Sequence, residues 1–236
     1  MEIFDIHSHI LPGVDDGSKS MEMTEEMLEM AHSHGVRTIF ATPHYSMRSR
    51  DDKPARVMEA YEKTREMALK KFPDMKILLG CEVYMEPGMI ERLKTETTIT
   101  MNRTKYVLCE YSFVGEYKDM YDSLQQLVRA RFKPVLAHVE RYRCLREEWG
   151  RLHELREMGV LMQINAESLQ GNVFDKNFRY GKSLIKHGVI DFIGSDAHDM
   201  DKRAPRMEKA VDTLIKLVGE HEADKILRTN AEIFLH

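Results

Sequence analysis

The sequence is poor in cysteine, glycine and proline, has no surplus of positive charge and contains no long apolar run. Three cysteines in 236 residues, Cys81, Cys109 and Cys144, are odd in number and widely spaced. That excludes a disulfide framework and a CxxC zinc pair, so they read as buried, reduced thiols. Thiol-based phosphatase chemistry is excluded too. It needs an arginine six residues after the cysteine, and those positions hold Pro87, Gly115 and Gly150. Thirteen glycines and seven prolines are too few for a fibrous or disordered chain. No run of 18 or more apolar residues is present, so no membrane insertion is expected. The opening MEIFDIHSHI lacks a basic segment ahead of an apolar one, so the expectation is no secretory signal and a cytoplasmic location. With 35 Lys and Arg against 39 Asp and Glu, the net charge is −4. A basic footprint for nucleic acid is absent.

What is present is a repeated alternation. Seven short apolar runs, at 2–6, 36–41, 76–81, 106–109, 134–137, 160–164 and 189–194, have strand length and strand composition. Between them lie helical spacings. Met23, Met27 and Met30 fall on one side of a helix that Gly35 stops. Pro54 opens a second, with Met58, Tyr61, Arg65 and Leu69 on one side. Met120, Leu124, Leu127 and Val128 mark a third, and Trp149, Leu152 and Leu155 a fourth. A broad stripe from Met207 to Val218 marks another. The 17 methionines lie mostly on such stripes and read as core filler. No linker, repeat or composition shift divides 1–236, so one α/β domain with a parallel sheet is expected.

Almost every run ends in potential metal ligands. The first gives His7-Ser8-His9, followed by Asp15-Asp16 in a Gly-bounded loop; the second gives His44, the third Glu82, and the fourth Glu110. The fifth ends in His138, the sixth in Asn165, and the seventh in Asp196-Ala197-His198. In a barrel all these ends meet on one face, where such folds keep their active sites. Period-2 geometry puts His7 and His9 on one side, and likewise Asp196 and His198. Singly, each has a bland reading: His-x-His is often incidental, Asp15-Asp16-Gly17 is ordinary turn chemistry, and a lone Glu can pair with Arg. Nine such residues at six strand ends are not independent accidents. Four carboxylates in one pocket would repel one another unless divalent cations intervened. Asn165 reads as structural or as a support to a ligand. His32, His34, His153, His187, His221 and His236 read as surface residues.

Mixed His and carboxylate ligation without thiolate suits manganese, iron or zinc. Close cations of this kind lower the pKa of a bridging water and clamp phosphate oxygens, which favours phosphoester hydrolysis. Amide hydrolysis on a related barrel is the chemical rival; there a Lys, if any, bridges the metals, and none occupies that place here.

The pattern His7-x-His9, Asp16, His44, Glu82, Glu110, His138, Asp196-x-His198 resembles the polymerase and histidinol phosphatase (PHP) superfamily. Within it, Asp5-Ile-His-Ser-His-Ile-Leu-Pro-Gly-Val-Asp-Asp-Gly-Ser resembles the manganese-dependent bacterial tyrosine-protein phosphatases of capsule and exopolysaccharide operons. Ala41-Thr-Pro-His44, His138-Val-Glu-Arg-Tyr142 and Gly194-Ser-Asp-Ala-His198 match that subgroup as well. The resemblance covers almost the whole chain. It implies a distorted (β/α)7 TIM-like barrel and three divalent metal ions, manganese first and iron or zinc next, held by those nine residues. It also implies that Arg141 and Arg203 serve catalysis or phosphate binding. The implied substrate is phosphotyrosine on an autophosphorylated bacterial tyrosine kinase that controls polysaccharide synthesis. A small-molecule phosphatase, such as a histidinol phosphatase, and a non-catalytic module stabilised by metal are the alternatives. Tyr45, Phe113 and Tyr142 lie near ligands in sequence and read as ordinary rim aromatics as readily as contacts to a peptide.

Overall fold

The alternation folds into strands and helices in a computed structural model that describes residues 2–49, 52–95, 99–172 and 174–236. The strands are β1 (Ile3–Ser8), β2 (Val36–Ala41), β3 (His44–Tyr45), β4 (Lys76–Leu79) and β5 (Glu82–Tyr84). They continue with β6 (Tyr106–Glu110), β7 (Lys133–Leu136), β8 (Leu161–Asn165) and β9 (Phe192–Gly194). Helices α1 (Met21–Ser33), α2 (Lys53–Lys71), α3 (Met89–Thr95) and α4 (Tyr117–Arg129) fill the first crossovers. After β7 come α5 (Arg143–Arg146), α6 (Trp149–Glu157), α7 (Lys176–Lys186), α8 (Glu208–Val218) and α9 (Glu220–Leu227). None of the described helices is long and apolar enough to cross a membrane.

All strand pairs among the described residues are parallel, in the orders β1-β2-β4 and β3-β5-β6-β7-β8-β9. Among the described residues nine strands stand where seven runs predict seven, because two runs are followed, after a break, by a further short strand. Thr42-Pro43 separates β2 from β3, and proline has no N–H for a ladder. Gly80-Cys81 separates β4 from β5. Backbone bonds carry the pairing across both breaks: Gly80 N–H donates to Ala41 O at 2.9 Å, and Glu82 N–H is shared between the carbonyls of Thr42 and Pro43. The two sheets therefore form one curled surface of seven strand positions. Its ends meet where Ser8 bridges Ala197 and Asp196 N–H donates to His7 O at 2.7 Å.

Phe4, Ile6, Phe40, Leu108, Val135 and Phe192 pack inside the curl with Phe234. Phe234 meets Tyr106 edge-on and Phe192 at a tilt, near the amino ends of β6 and β9, and so plugs the end opposite the ligands. A larger core fills the space between strands and helices. The side of α2 differs from the sequence reading: Val57, Ala60, Thr64 and Ala68 are buried, and Leu69 is left 68% exposed. Those smaller side chains let α2 lie close against β4.

Strand β1 carries a bulge that sets the site. From Asp5 to Ser8 it advances three residues while β2 advances two, from Ile39 to Ala41. An extra residue exchanges the inward and outward sides of a strand. Phe4 and Ile6 thus face the inner cluster, and past the bulge His7 and His9 face inward too. Close approach of β9 completes the arrangement. A Cβ on Gly194 would lie 2.6 Å from His7 Cβ and 3.1 Å from Gln163 Nε2. Gly194→Ala is expected to lower stability by about 1–3 kcal/mol, read as a drop in denaturation midpoint. A wild-type midpoint would contradict this packing.

Candidate metal centre

Four ligand atoms converge at the carboxyl ends of the strands. His7 Nε2 and His9 Nε2 are 3.2 Å apart, and each lies 3.3 Å from Glu82 Oε2 and 3.5 Å from Asp196 Oδ1. Ligands on a tetrahedron with metal bonds of about 2.0–2.2 Å stand about 3.3–3.6 Å apart. The donor set and its spacing therefore fit a divalent cation. A second group joins His44 Nε2, 3.4 Å from Asp16 Oδ1, to His198 Nε2, 3.6 Å from the same oxygen. His9 reaches both groups, but its Nδ1 is engaged by Asp15 and a single remaining lone pair serves one cation. A third group gathers His44, Glu82 and Glu110. His138 adjoins it, with Nε2 2.7 Å from Glu82 Oε1 and 3.7 Å from Glu110 Oε1.

The electrostatics fit cations as well. Burial and the neighbouring Glu82 carboxylate push Glu110 up to about 7, against the opposing pull of His44 and His7. Burial also opposes the charge on Glu82, but the imidazoles of His7, His138 and His44 outweigh it and hold the carboxyl well below its ordinary range. Burial, with His9 next to it, depresses His198 to about 4, and burial lowers His138. Both imidazoles thus stay neutral, as ligands must. Buried Glu82 Oε2, His138 Nδ1 and His198 Nε2 have no hydrogen-bond partner. Two ligands sit on strained backbone: His138 (φ 34°) and Asp196 (φ 53°) are left-handed, which turns each side chain back over the site just beyond β7 and β9.

All nine sequence-predicted ligands thus lie in one pocket, with Asp16 on its exposed rim. Arg203 Nη2 lies 2.8 Å from Asp196 Oδ1, and Arg141 Nη1 lies 3.6 Å from Asp196 Oδ2. The Arg141 guanidinium is stacked 4.2 Å over the Phe113 ring, which also meets His138 edge-on. Phe113 borders the open site, and Tyr45, though mostly buried, lines a cavity beside His44. Tyr142 instead is buried, and its hydroxyl accepts the Tyr111 N–H inside the core.

Sequence reasoning missed the groups that hold the ligands. Asp15 Oδ2 accepts from His9 Nδ1 at 2.8 Å and from His44 N–H at 3.0 Å, fixing two imidazoles at once. Gln163 Oε1 pairs with His7 Nδ1 at 3.1 Å and accepts the His138 N–H at 2.8 Å. Asn165 Nδ2 donates to Asp196 Oδ2 at 2.8 Å, the supporting role left open for it. Asp5 Oδ1 accepts the N–H groups of His7 and Ser195, tying β1 to the chain after β9. The available signal was a polar side chain inside an apolar run: Asp5 among Ile and Phe, Gln163 between Met162 and Ile164.

Glu140 is a further buried acid beside the site. Its Oε1 accepts from Asn165 N–H and Ser168 Oγ, while Oε2 has no partner. Burial pushes it from 4.5 up to about 7. The folded state then holds a proton that the unfolded state releases, so stability falls as pH rises from about 4.5 to about 7. Glu140→Gln keeps the acceptor and removes the charge. It is expected to stabilise the protein at pH 8 by about 1–3 kcal/mol and to lose that advantage near pH 4.5. Equal unfolding midpoints at pH 8 would contradict the buried charge.

Known proteins resemble this chain over nearly its whole length. The family model for capsular polysaccharide synthesis, CpsB/CapC, matches residues 3–236. The tyrosine-protein phosphatase CpsB of Streptococcus agalactiae serotype V is 32% identical over 238 residues, covering 99% of this chain and 98% of that protein. A crystal structure from work on YwqE of Bacillus subtilis and CpsB of Streptococcus pneumoniae, described as unique metal-dependent tyrosine phosphatases, superposes with a TM-score of 0.86. It is 33% identical and covers 99% of this chain and 94% of that one. Histidinol phosphate phosphatase from Lactococcus lactis, at 14% identity and a TM-score of 0.59, shares the fold.

Proposed function

The chain belongs to the CpsB/CapC family of capsular polysaccharide synthesis proteins, and from that premise we propose that it is a metal-dependent protein-tyrosine phosphatase. The observation that carries the proposal is the cluster of His7, His9, Glu82 and Asp196 at cation-binding spacing with two arginines against it. We assign His7, His9, Glu82 and Asp196 to one divalent cation and Asp16, His44 and His198 to a second. Glu82, Glu110 and His138 would hold a third. Manganese is the proposed metal. When bound, such cations activate water and neutralise charge on a phosphate.

The chain's own groups do the rest. Arg141 and Arg203 grip phosphate oxygens and stabilise the charge that develops as the bond to tyrosine breaks. Arginine is too weak an acid to serve as a proton donor. A phenolate, with a parent pKa near 10, leaves readily without one. Asp15 and Gln163 keep His9, His44, His7 and the His138 backbone in place. The cysteines take no part: burial pushes the Cys81 thiol up to about 12 and raises Cys109 further, so neither offers a thiolate at neutral pH.

The proposed physiological substrate is an autophosphorylated tyrosine kinase of the polysaccharide machinery. The proposed location is the cytoplasm, which suits three free cysteines. A side-by-side assay with phosphotyrosine peptide, phosphoserine peptide and histidinol phosphate tests the reading. Phosphotyrosine hydrolysis is expected to dominate, to vanish with a chelator and to return with manganese. A preference for histidinol phosphate would replace it with the small-molecule reading, and no metal-dependent turnover at all would point to a non-catalytic module.

A further inference from the structure

A polar cavity of about 360 Å³ adjoins the metal centre on the Asp196 side. Asp196, Arg141 and Arg203 form the wall it shares with the centre. Farther out it is lined by three more cations, Arg146, Lys202 and Arg206. Arg146 is held in place by neutral partners. Its Nε donates to the Glu140 carbonyl, its Nη2 donates to Asn177 Oδ1 at 2.9 Å, and its guanidinium stacks 4.9 Å from the Tyr180 ring. Arg206 Nη1 donates to the Asp201 carbonyl at 2.7 Å, again a neutral group. The Lys202 ammonium has no hydrogen bond or ion pair among the described residues.

The carboxylates on the same walls are otherwise engaged. Asp196 belongs to the metal centre. Asp175 caps α7 by accepting the N–H groups of Asn177 and Phe178. Glu140 is buried in the floor, with Oε1 committed to Asn165 and Ser168. Glu167 and the capping carboxylate of Asp175 remain as anions against three outer cations. In a chain of net charge −4, this is a local excess of positive charge, and it opens directly onto the place where phosphate would bind.

Resting on the phosphatase reading, we propose that the cavity is a substrate subsite for a second anionic side chain flanking the phosphotyrosine, read by Arg146, Lys202 and Arg206. A phosphotyrosine seated between Arg141 and Arg203 brings its neighbours in the peptide against this wall. Complementary charge there speeds encounter and fixes the direction in which the peptide lies. An anion is preferred over a neutral side chain because cations whose partners are all neutral gain most from a counter-charge.

The test compares phosphotyrosine peptides that differ only at the flanking position, which holds Glu, Gln, Lys or phosphoserine. For the wild-type holoenzyme, kcat/KM is expected to be on the order of tenfold higher for Glu than for Gln and lowest for Lys. The Glu preference should shrink as salt is added. Phosphoserine distinguishes a carboxylate from a second phosphate as the better occupant, and a rate above Gln for either supports the subsite. In Lys202→Glu and in Lys202→Glu/Arg206→Glu the Glu-to-Gln ratio should fall to one or below. Wild-type rates no higher than Gln for both Glu and phosphoserine, or an undiminished anion preference in both variants, overturn the subsite while leaving the phosphatase intact. Failure to hydrolyse any of the four peptides overturns the phosphatase reading, and the subsite with it.

Discussion

Glu82→Gln is expected to lower phosphotyrosine hydrolysis by about a thousandfold or more, the equivalent of several kcal/mol of lost charge stabilisation. The residue is 1% exposed, and its two oxygens are the hub of the site. Oε2 lies within 3.3 Å of His7 and His9 and 3.0 Å from His44, while Oε1 lies 2.7 Å from His138. The amide keeps the shape but withdraws the negative charge that those four imidazoles surround. The metal content of the purified variant, measured by atomic emission, should fall along with kcat. Chelated wild-type enzyme should resemble the variant, with the difference that added manganese restores only the wild type. His138→Ala and Glu110→Ala should show the same pair of losses with the fold intact by circular dichroism. Full activity with unchanged metal content in Glu82→Gln would end the metal assignment.

The second large effect belongs to Arg141. Arg141→Ala should keep its metal and lose about 10²–10³ in kcat, the scale for removing a preorganised donor to developing charge. Arg141 is 42% exposed, and its one ion-pair contact to Asp196 is long, at 3.6 Å. Little of its charge is therefore spent inside the protein, and the ring of Phe113 holds it at the edge of the site. Arg141→Lys should recover little, because an ammonium neither forks onto two phosphate oxygens nor stacks flat on a ring. Unchanged kcat and kcat/KM in Arg141→Ala would remove the charge-stabilising role. Arg203 is a different case. Its 2.8 Å pair with Asp196 Oδ1 and the Arg203 carbonyl that accepts the His198 N–H tie it to two ligands. Arg203→Ala should therefore disturb metal content as well as rate.

Much of the ligand set was legible because its signals are local. His-x-His and Asp-x-His spacing depends only on the two-residue period of extended chain, and each of the other ligands except Asp16 follows its own apolar run. Strand composition and helical spacing likewise identified the α/β alternation. The supports were illegible because they act across long separations. Gln163 meets His7 and His138, and Asp5 meets Ser195, residues far away in sequence. Asp15 looked like half of an ordinary turn, yet it orients two imidazoles. The buried side of α2 slipped by one residue because fit against the sheet, and not side-chain size alone, decided what was covered.

The sequence by itself determined which residue types stand at the strand ends and how they are spaced along each strand. Only the tertiary structure decided that His7 and His9 face the same interior as Phe4 and Ile6, since strict alternation would have put them outside and a bulge in β1 reverses it. It also decided that Glu82 lies among four imidazoles and that an arginine-lined cavity opens beside Asp196. The physical reason is range. Period and propensity are fixed by neighbouring residues, whereas the distance between two strand ends is fixed by register, bulges and the closure of β9 on β1.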